Sequence, residues 1–447
     1  MGMPHGIRCI RWPTGVGLPE VIPVKKNAYR TVAVNLVDAQ KLAEVFRGKK
    51  LVIAADAAKW DFVAALMAED RSVALTIHWR APNQTRLFVR LVAALAAIAQ
   101  VEFAVESTGT YADPLRFLLA EIGVPIFRVS AKHSHDAAEV FDGVPSSHDA
   151  KSAAIIGWLH LQGRSQRWTP KGEADRDLAA ATDRMAFFDA QFHQCCNLLE
   201  AKLARHFPEL TEALGLGSAT MLALLKSYPA PFDISQNAAQ ADALMQQVGK
   251  QLLTAGKRVT VLQAANASTG LPMTAGEKAQ IQELAAEADR QRAAASQARK
   301  RVKKLAQERE EIRRMGEVVG CVTAAVLLAE TGDPENYESA KAYVKALGLN
   351  LKERSSGSHK GRLKITKRGS GRARQYLYLA VLRLIQGDPF FKAWYERKVA
   401  RDGGKTKRKG IVALMRKLAA GLWAAAKAGR FDSSKLFDLR RLSSKTA

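Results

Sequence analysis

The chain is 447 residues long, with 68 Lys and Arg against 43 Asp and Glu and a formal charge of +25. At 47% hydrophobic and 25% charged, it has the make-up of a folded protein of about two to four domains, not of a disordered polyelectrolyte. Four cysteines (Cys9, Cys195, Cys196, Cys321) form no disulfide framework and no common zinc spacing, no apolar run reaches the ~18 residues of a membrane span, and the N-terminus has no signal-peptide core.

A cytoplasmic, reducing setting without a membrane partner is therefore expected. The charge is uneven: residues 351–447 carry +20 and the first 350 the remaining +5. A basic block that also holds helix-forming apolar residues reads as a folded surface for nucleic acid. The competing reading is a solubilising basic tail.

Residues 1–48 read as an irregular leader, interrupted by Pro4, Pro13, Pro19 and Pro23, with a short helix near Asp38–Phe46. Lys50–Ala55 (KLVIAA) is a continuous apolar run and predicts a buried strand ending at Asp56. Ser72–Trp79 is a second strand, Thr85–Ala99 an amphipathic helix, and Val101–Val105 a strand ending at Glu106. Asp113–Glu121 is helical, Pro125–Val129 a strand and Asp149–Leu161 helical. Strands alternating with helices predict a layered α/β domain.

From residue 169 the pattern changes. Ala174–His206 is helical by composition, and His206–Tyr228 has the form of a helix, a Gly turn and a helix. Glu277–Met315 lacks Gly and Pro. Its apolar positions Ile281, Leu284, Ala288, Ala295, Ala298, Val302, Leu305 and Ile312 recur mostly at the steps an interhelical seam requires. This helix is the candidate for self-association, with an intramolecular bundle as the alternative. Val318–Glu330, Ser339–Leu347, Arg372–Ile385 and Gly410–Ala428 are helical, around a Gly/Ser/Lys/Arg-rich stretch at Ser355–Gly371 and a basic loop at Arg401–Lys409.

Asp56 and Glu106 stand at strand ends, where side chains of an α/β sheet converge on a ligand. Asp149 opens a helix in the segment SSHDAKSA. Carboxylate oxygens from three elements suit Mg²⁺ or Mn²⁺, which stabilise the oxygens of a phosphoryl transfer. Singly, each acid has an ordinary explanation: Asp after a strand often forms a turn, and Asp149 can serve as an N-cap.

In the basic block, Arg354-Ser355-Ser356-Gly357-Ser358-His359-Lys360-Gly361 is followed by Ile365-Thr366-Lys367-Arg368-Gly369. Glycines allow backbone to approach a phosphate, and the cations neutralise it. The candidate nucleic-acid contacts are Arg354, Lys360, Arg362, Lys364, Lys367, Arg368, Arg372, Arg374, Lys405, Lys407, Arg408 and Lys409. A flexible basic loop without chemistry is the alternative. Tyr376, Tyr378, Phe390, Phe391, Trp394 and Tyr395 interleave with the block; stacking on bases is one use, but their helical spacing favours the core.

The three acids, 50 and 43 residues apart, with the box Glu106-Ser107-Thr108-Gly109-Thr110-Tyr111, resemble the DEDD transposases of the insertion-sequence one-ten / eleven-eleven family and their Piv/MooV-type invertase relatives. The resemblance covers residues 50–168 and 316–430. It includes Val322–Asp333 (VTAAVLLAETGD), the segment from Ser356 to Gly369, Phe391–Arg397 (FKAWYER) and Val412–Ala419 (VALMRKLA). It implies an α/β RNase H-like (RuvC-like) domain over residues 49–168, an α-helical, coiled-coil middle over 169–315, and a basic, mainly α transposase domain over 316–447.

The resemblance also implies roles. Asp56, Glu106 and Asp149 would hold Mg²⁺. The family's third box reads Asp-x-x-Asp-Ala; here Ser152 stands at its last Asp, or, with the register slid by three, Asp149 stands last and Ser146 first, the former keeping Ala153 and the spacing to Trp168 in line. One carboxylate is thus missing, a hydroxyl is a poor substitute, and Asp142 is a candidate helper. Ser356 would be the nucleophile that joins covalently to DNA, with Ser355 and Ser358 as neighbouring hydroxyls, in a composite site between subunits of a homodimer or homotetramer. The implied function is an insertion-sequence transposase that cuts and rejoins DNA, guided by a structured bridge or seek RNA, beside the prokaryotic nucleoid. The alternatives are a non-catalytic nucleic-acid-binding relative and a metal-dependent junction nuclease.

Overall fold

The computed structural model describes residues 31–107, 109–353, 355–356, 361, 363–404 and 407–438. The chain divides into two units, one reaching to Lys171 and one beginning at Gly172. The strands of the first are β1 (Thr31–Ala33), β2 (Lys50–Ala57), β3 (Asp61–Ala68), β4 (Val73–Arg80), β5 (Gln100–Glu106), β6 (Ile126–Val129) and β7 (Ser165–Trp168). Among the described residues they form one seven-stranded sheet in the order β1-β4-β3-β2-β5-β6-β7. Strands β2, β3 and β4 form an antiparallel meander, whereas β2, β5 and β6 run parallel.

The helices of this unit are α1 (Ala39–Phe46), α2 (Thr85–Ala96), α3 (Asp113–Glu121), α4 (Ala131–Asp142) and α5 (Asp149–Leu161). They cover both faces of the sheet. Leu51, Ile53, Phe103 and Val105 pack with Phe88 and Val92 of α2 and Leu115 of α3. On the opposite face Val52, Ala54, Met67 and Ala104 pack with Phe141 of α4 and Ala153 and Ile156 of α5. Burial on both faces explains why β2 is a continuous apolar run. Helix α5 lies close because it has a glycine at the contact. A Cβ on Gly157 would fall 2.3 Å from Met67 Sδ and 3.0 Å from Ala54 Cβ.

Two parts of this unit carry little sequence signal. Strand β3 (DFVAALMA) is rich in Ala, Leu and Met, which favour helices, and does not alternate. Pairing with β2 and β4 makes it a central strand. Within the expected leader, β1 pairs with β4 and α1 follows; residues 1–30 lie outside the described residues.

The second unit is largely helical. Its elements are α6 (Glu173–His206), α7 (Pro208–Ala213), α8 (Ala219–Ser227), α9 (Pro231–Gln236), α10 (Ala238–Gly249), α11 (Ala255–Asn266), α12 (Ala275–Gln307), α13 (Glu310–Val319), α14 (Cys321–Thr331), α15 (Ala340–Ala346), β8 (Leu351–Lys352), β9 (Lys364–Ile365), α16 (Gly371–Gly387), α17 (Pro389–Arg401) and α18 (Lys407–Ala428). Helices α6 and α12 pair along their length. The buried face of α12 is mostly small: Ile281, Ala285, Ala288, Ala295, Ala298, Val302 and Ala306. Arg299 reaches Asp189 of α6 at 3.0 Å. The apolar seam expected to serve self-association is therefore filled within the chain.

The expected uninterrupted helix over Glu277–Met315 is broken. Helix α12 ends at Gln307, and Arg309 is extended, with φ −124° and ψ 116°. Its guanidinium pairs with Asp175 at 2.7 Å and Glu311 at 2.6 Å. Those two ion pairs hold the kink that lets α13 turn onto the C-terminal core.

Two hydrophobic cores occupy the two ends of the α6–α12 pair. One, around Leu199, Phe207, Leu222, Met245 and Val261, joins α6–α8 with α10 and α11. The other, around Val326, Tyr343, Leu377, Phe391, Leu414 and Leu418, joins α14–α18. Of the aromatics interleaved with the basic block, Phe391 is fully buried and Tyr376, Tyr378, Phe390, Trp394 and Tyr395 pack partly buried against that core. Among the described residues no helix is long and apolar enough to cross a membrane.

Candidate active site

Parallel pairing of β2 with β5 runs to Ala55 opposite Val105. Asp56 and Glu106 come next, so the two carboxylates leave the same edge of the sheet side by side. Helix α5 brings the third acid. Its N-cap is His148, whose ring accepts from the Lys151 N–H at 3.2 Å, so Asp149 is the first helical residue and not the cap. The close approach at Gly157 seats α5 against β2 and β3, with its N-terminal turn toward the strand ends.

Asp56 senses the other two carboxylates. Burial, then the negative charges of Glu106 and Asp149, push the Asp56 carboxyl up to about 6 from its ordinary 3.8. The Ala57 N–H and the Ser152 hydroxyl donate to it and offset part of that rise. Thus Ser152, at the position of the missing acid, faces the cluster. Among the described residues, no group of three or more His, Cys, Asp or Glu side chains is gathered tightly enough to hold a metal ion. Both observations stand together, because charge repulsion reaches well beyond the 2.0–2.6 Å of direct ligation. The donor set, hard oxygens with excess negative charge, has the chemistry a divalent cation requires.

Asp142 does not complete this set. Lys151, 1% exposed, donates to Asp142 at 2.7 Å and to the Val144 carbonyl at 2.6 Å. The expected helper is therefore neutralised, and the clamp fixes the loop leading into Asp149. Lys151 was hidden in the sequence as a single cation in an apolar helix.

In the second unit, Ser356 is described and exposed. The neighbouring Ser355 hydroxyl donates to Glu353 at 2.6 Å and accepts from the Gly361 N–H at 2.9 Å, so it is engaged with both. Arg354, Ser358, Lys360, Arg362 and Lys405 lie outside the described residues. Lys364, Lys367, Arg368, Lys407, Arg408 and Lys409 are exposed. Arg372 instead pairs with Asp183 and, at 3.0 Å, with Glu330. Arg374 donates to the carbonyls of Leu347 at 3.1 Å and Gly369 at 2.9 Å. Gly369 is a packing glycine: at φ +141° its Cβ would fall 2.1 Å from the Ala346 carbonyl oxygen.

Comparison with known proteins matches both regions. Residues 53–208 match the DEDD transposase family of the IS110 type, and residues 316–396 match the transposase IS116/IS110/IS902 family. The first match contains Asp56, Glu106, Asp149 and Ser152, and the second contains Ser356. An "Insertion element IS900 uncharacterized 42 kDa protein" of Mycobacterium paratuberculosis is 26% identical over 395 residues, covering 83% of this chain and 94% of that protein. An "Insertion element IS110 uncharacterized 43.6 kDa protein" of Streptomyces coelicolor is 29% identical over 118 residues, covering 26% of this chain and 29% of that protein.

Proposed function

The chain belongs to the IS110 family of DEDD transposases, enzymes that cut and rejoin DNA, and from that premise we propose how its residues divide the reaction. Asp56, Glu106 and Asp149, with Ser152, hold Mg²⁺ or Mn²⁺ in an RNase H-like domain of residues 49–168. The strand order β4-β3-β2-β5-β6, antiparallel then parallel, supports that fold. The observation that carries the reading is the state of Asp56, a carboxylate raised first by burial and then by two like charges: a fold keeps it there at a cost, and a bound cation relieves it. Bound there, the ion supplies neutralisation of charge on the phosphate and polarisation of the attacking and leaving oxygens.

Ser356, in the transposase domain of residues 316–447, attacks the DNA phosphodiester. Its Oγ–P bond forms as the P–O3′ bond breaks, and the serine proton ends on the departing 3′-hydroxyl. The product is a 5′-phosphoserine link, which an incoming 3′-hydroxyl reverses on another strand. The engagement of Ser355 in its own loop supports Ser356 as the reacting hydroxyl. Lys364, Lys367, Arg368 and Lys407–Lys409 track phosphates, and a structured guide RNA selects the DNA. A homodimer or homotetramer brings acids and serine together.

A covalent-adduct assay tests the assignment. DNA should become attached to the protein in Mg²⁺, and Ser356→Ala should abolish the adduct. Cleavage that survives Ser356→Ala overturns the nucleophile and favours a junction nuclease. Ser152 favours one second reading, a catalytically impaired relative; binding without any cleavage, rescued by Ser152→Asp, would establish it.

A further inference from the structure

Strand β2 ends one residue after Asp56, and β3 begins at Asp61. The turn between them carries Lys59 and Trp60. Of the described tryptophans Trp60 alone is exposed, at 50%; Trp79 is 1% exposed, and Trp158, Trp168, Trp394 and Trp423 are partly buried. A single exposed apolar side chain is ordinary. Three further observations set this one apart.

The turn is rigid. The Ala58 N–H donates to the Asp61 carbonyl at 3.2 Å, and the Trp60 carbonyl accepts from the Ala81 N–H at 2.7 Å. The indole is thus presented from backbone tied on both sides, and little entropy is lost when something settles on it. Next, the Lys59 ammonium lies over the ring, 5.0 Å from its centroid, so a cation is stacked on one π-face of the indole. Finally, position matters. Trp60 follows Asp56 by four residues, so their Cα atoms are within about 14 Å. Tyr111, 52% exposed, follows Glu106 by five residues beyond the same sheet edge.

A half-exposed indole with a cation on one of its faces, at the rim of a carboxylate cluster, matches one ligand chemistry: an unpaired nucleobase with its own phosphate. We propose that Trp60 is a stacking platform for a base of the DNA strand being cut, with Lys59 contacting the adjoining phosphate. This rests on the reading that the acid cluster acts on DNA. Trp60 is a positioning residue: by fixing one base it fixes which phosphate reaches the carboxylates.

The test uses the full chain and single-stranded DNA carrying one 2-aminopurine, whose fluorescence is quenched on stacking. Wild type should quench the probe, Trp60→Phe should quench it in part, and Trp60→Ala should not. Affinity for the DNA should fall roughly 5- to 150-fold in Trp60→Ala. The cut position should spread over neighbouring phosphates, a change a merely structural role would not produce. Melting curves check that the variants fold. Equal quenching by wild type and Trp60→Ala overturns the proposal. Stronger Trp60-dependent quenching of the matching RNA overturns the assignment to the DNA strand. Cleavage is scored separately: Trp60-dependent quenching by a wild type that cuts nothing in Mg²⁺ upholds the platform and removes the acid-site reading.

Discussion

The acids of the first unit and the cations of the second are held in opposite ways. Asp56 is partly buried and raised by two like charges, and the turn that bears Asp149 is locked by an unrelated ion pair, Lys151–Asp142. In the second unit the charges sort by depth. Arg372 and Arg374 are spent on carboxylates and carbonyls of the fold, while Lys364, Lys367, Arg368 and Lys407–Lys409 remain at the surface. The contrast teaches that charge count is a poor guide to function. What matters is whether a charge is satisfied inside the protein.

Four experiments break or sharpen this contrast. The largest effect is expected at the proposed reacting groups: Asp56→Ala and Ser356→Ala should each lower DNA cleavage by about 10³-fold or more while leaving DNA binding in place. A drop in binding equal to the drop in cleavage would make them structural. Lys151→Met should destabilise the first unit by roughly 3 kcal/mol, because it strands a carboxylate, and adding Asp142→Asn should restore part of that. Chemical denaturation reads both, and additive losses would show that the pair is not coupled.

Next comes pH. The Asp56 carboxyl sits at about 6 folded against 3.8 unfolded, so the folded state prefers it protonated. Its contribution to stability is fully present below about pH 4 and is lost as pH rises through 6. Melting temperature of the metal-free protein should therefore fall between pH 4 and 7 by an amount worth up to about 3 kcal/mol. Asp56→Asn should flatten that dependence, and an unchanged profile would show the acids are not in conflict. The smallest effect concerns the cations. Reversing Lys407, Arg408 and Lys409 to Glu should reduce the slope of log affinity against log salt by up to about 2.7 on duplex DNA. Arg372→Ala should instead cost stability and leave the slope alone; the reverse outcome would exchange their roles.

Much of this was legible in the sequence, for identifiable reasons. Strand β2 announced itself because burial on both faces makes an unbroken apolar run, and its end marked Asp56. Helix α12 announced itself through a seam repeated over many turns. Strand β3 did not, since its Ala, Leu and Met residues carry no strand preference and only its neighbours define it. The partner of a seam is likewise invisible to periodicity: α12 begins at Ala275 and pairs with α6, which ends at His206. Arg372 and Arg374 read as phosphate contacts because their type fits, but their partners, Asp183, Glu330 and two carbonyls, are distant in sequence. Trp60 was unread because one aromatic in a short turn has no pattern at all.

The paired helices α6 and α12 also act as a ruler. They contain 34 and 33 residues, so the strut they form is about 50 Å long at 1.5 Å per residue. Along α12 the residues of one core run from Ile281 to Ala288 and those of the other from Ala298 to Ala306, a gap of about 15 Å, so the strut ties the two cores into one piece. At 3.4 Å per step, about 15 base pairs of duplex match the full length of the strut. A duplex that touched both tips of the strut would have to be at least that long.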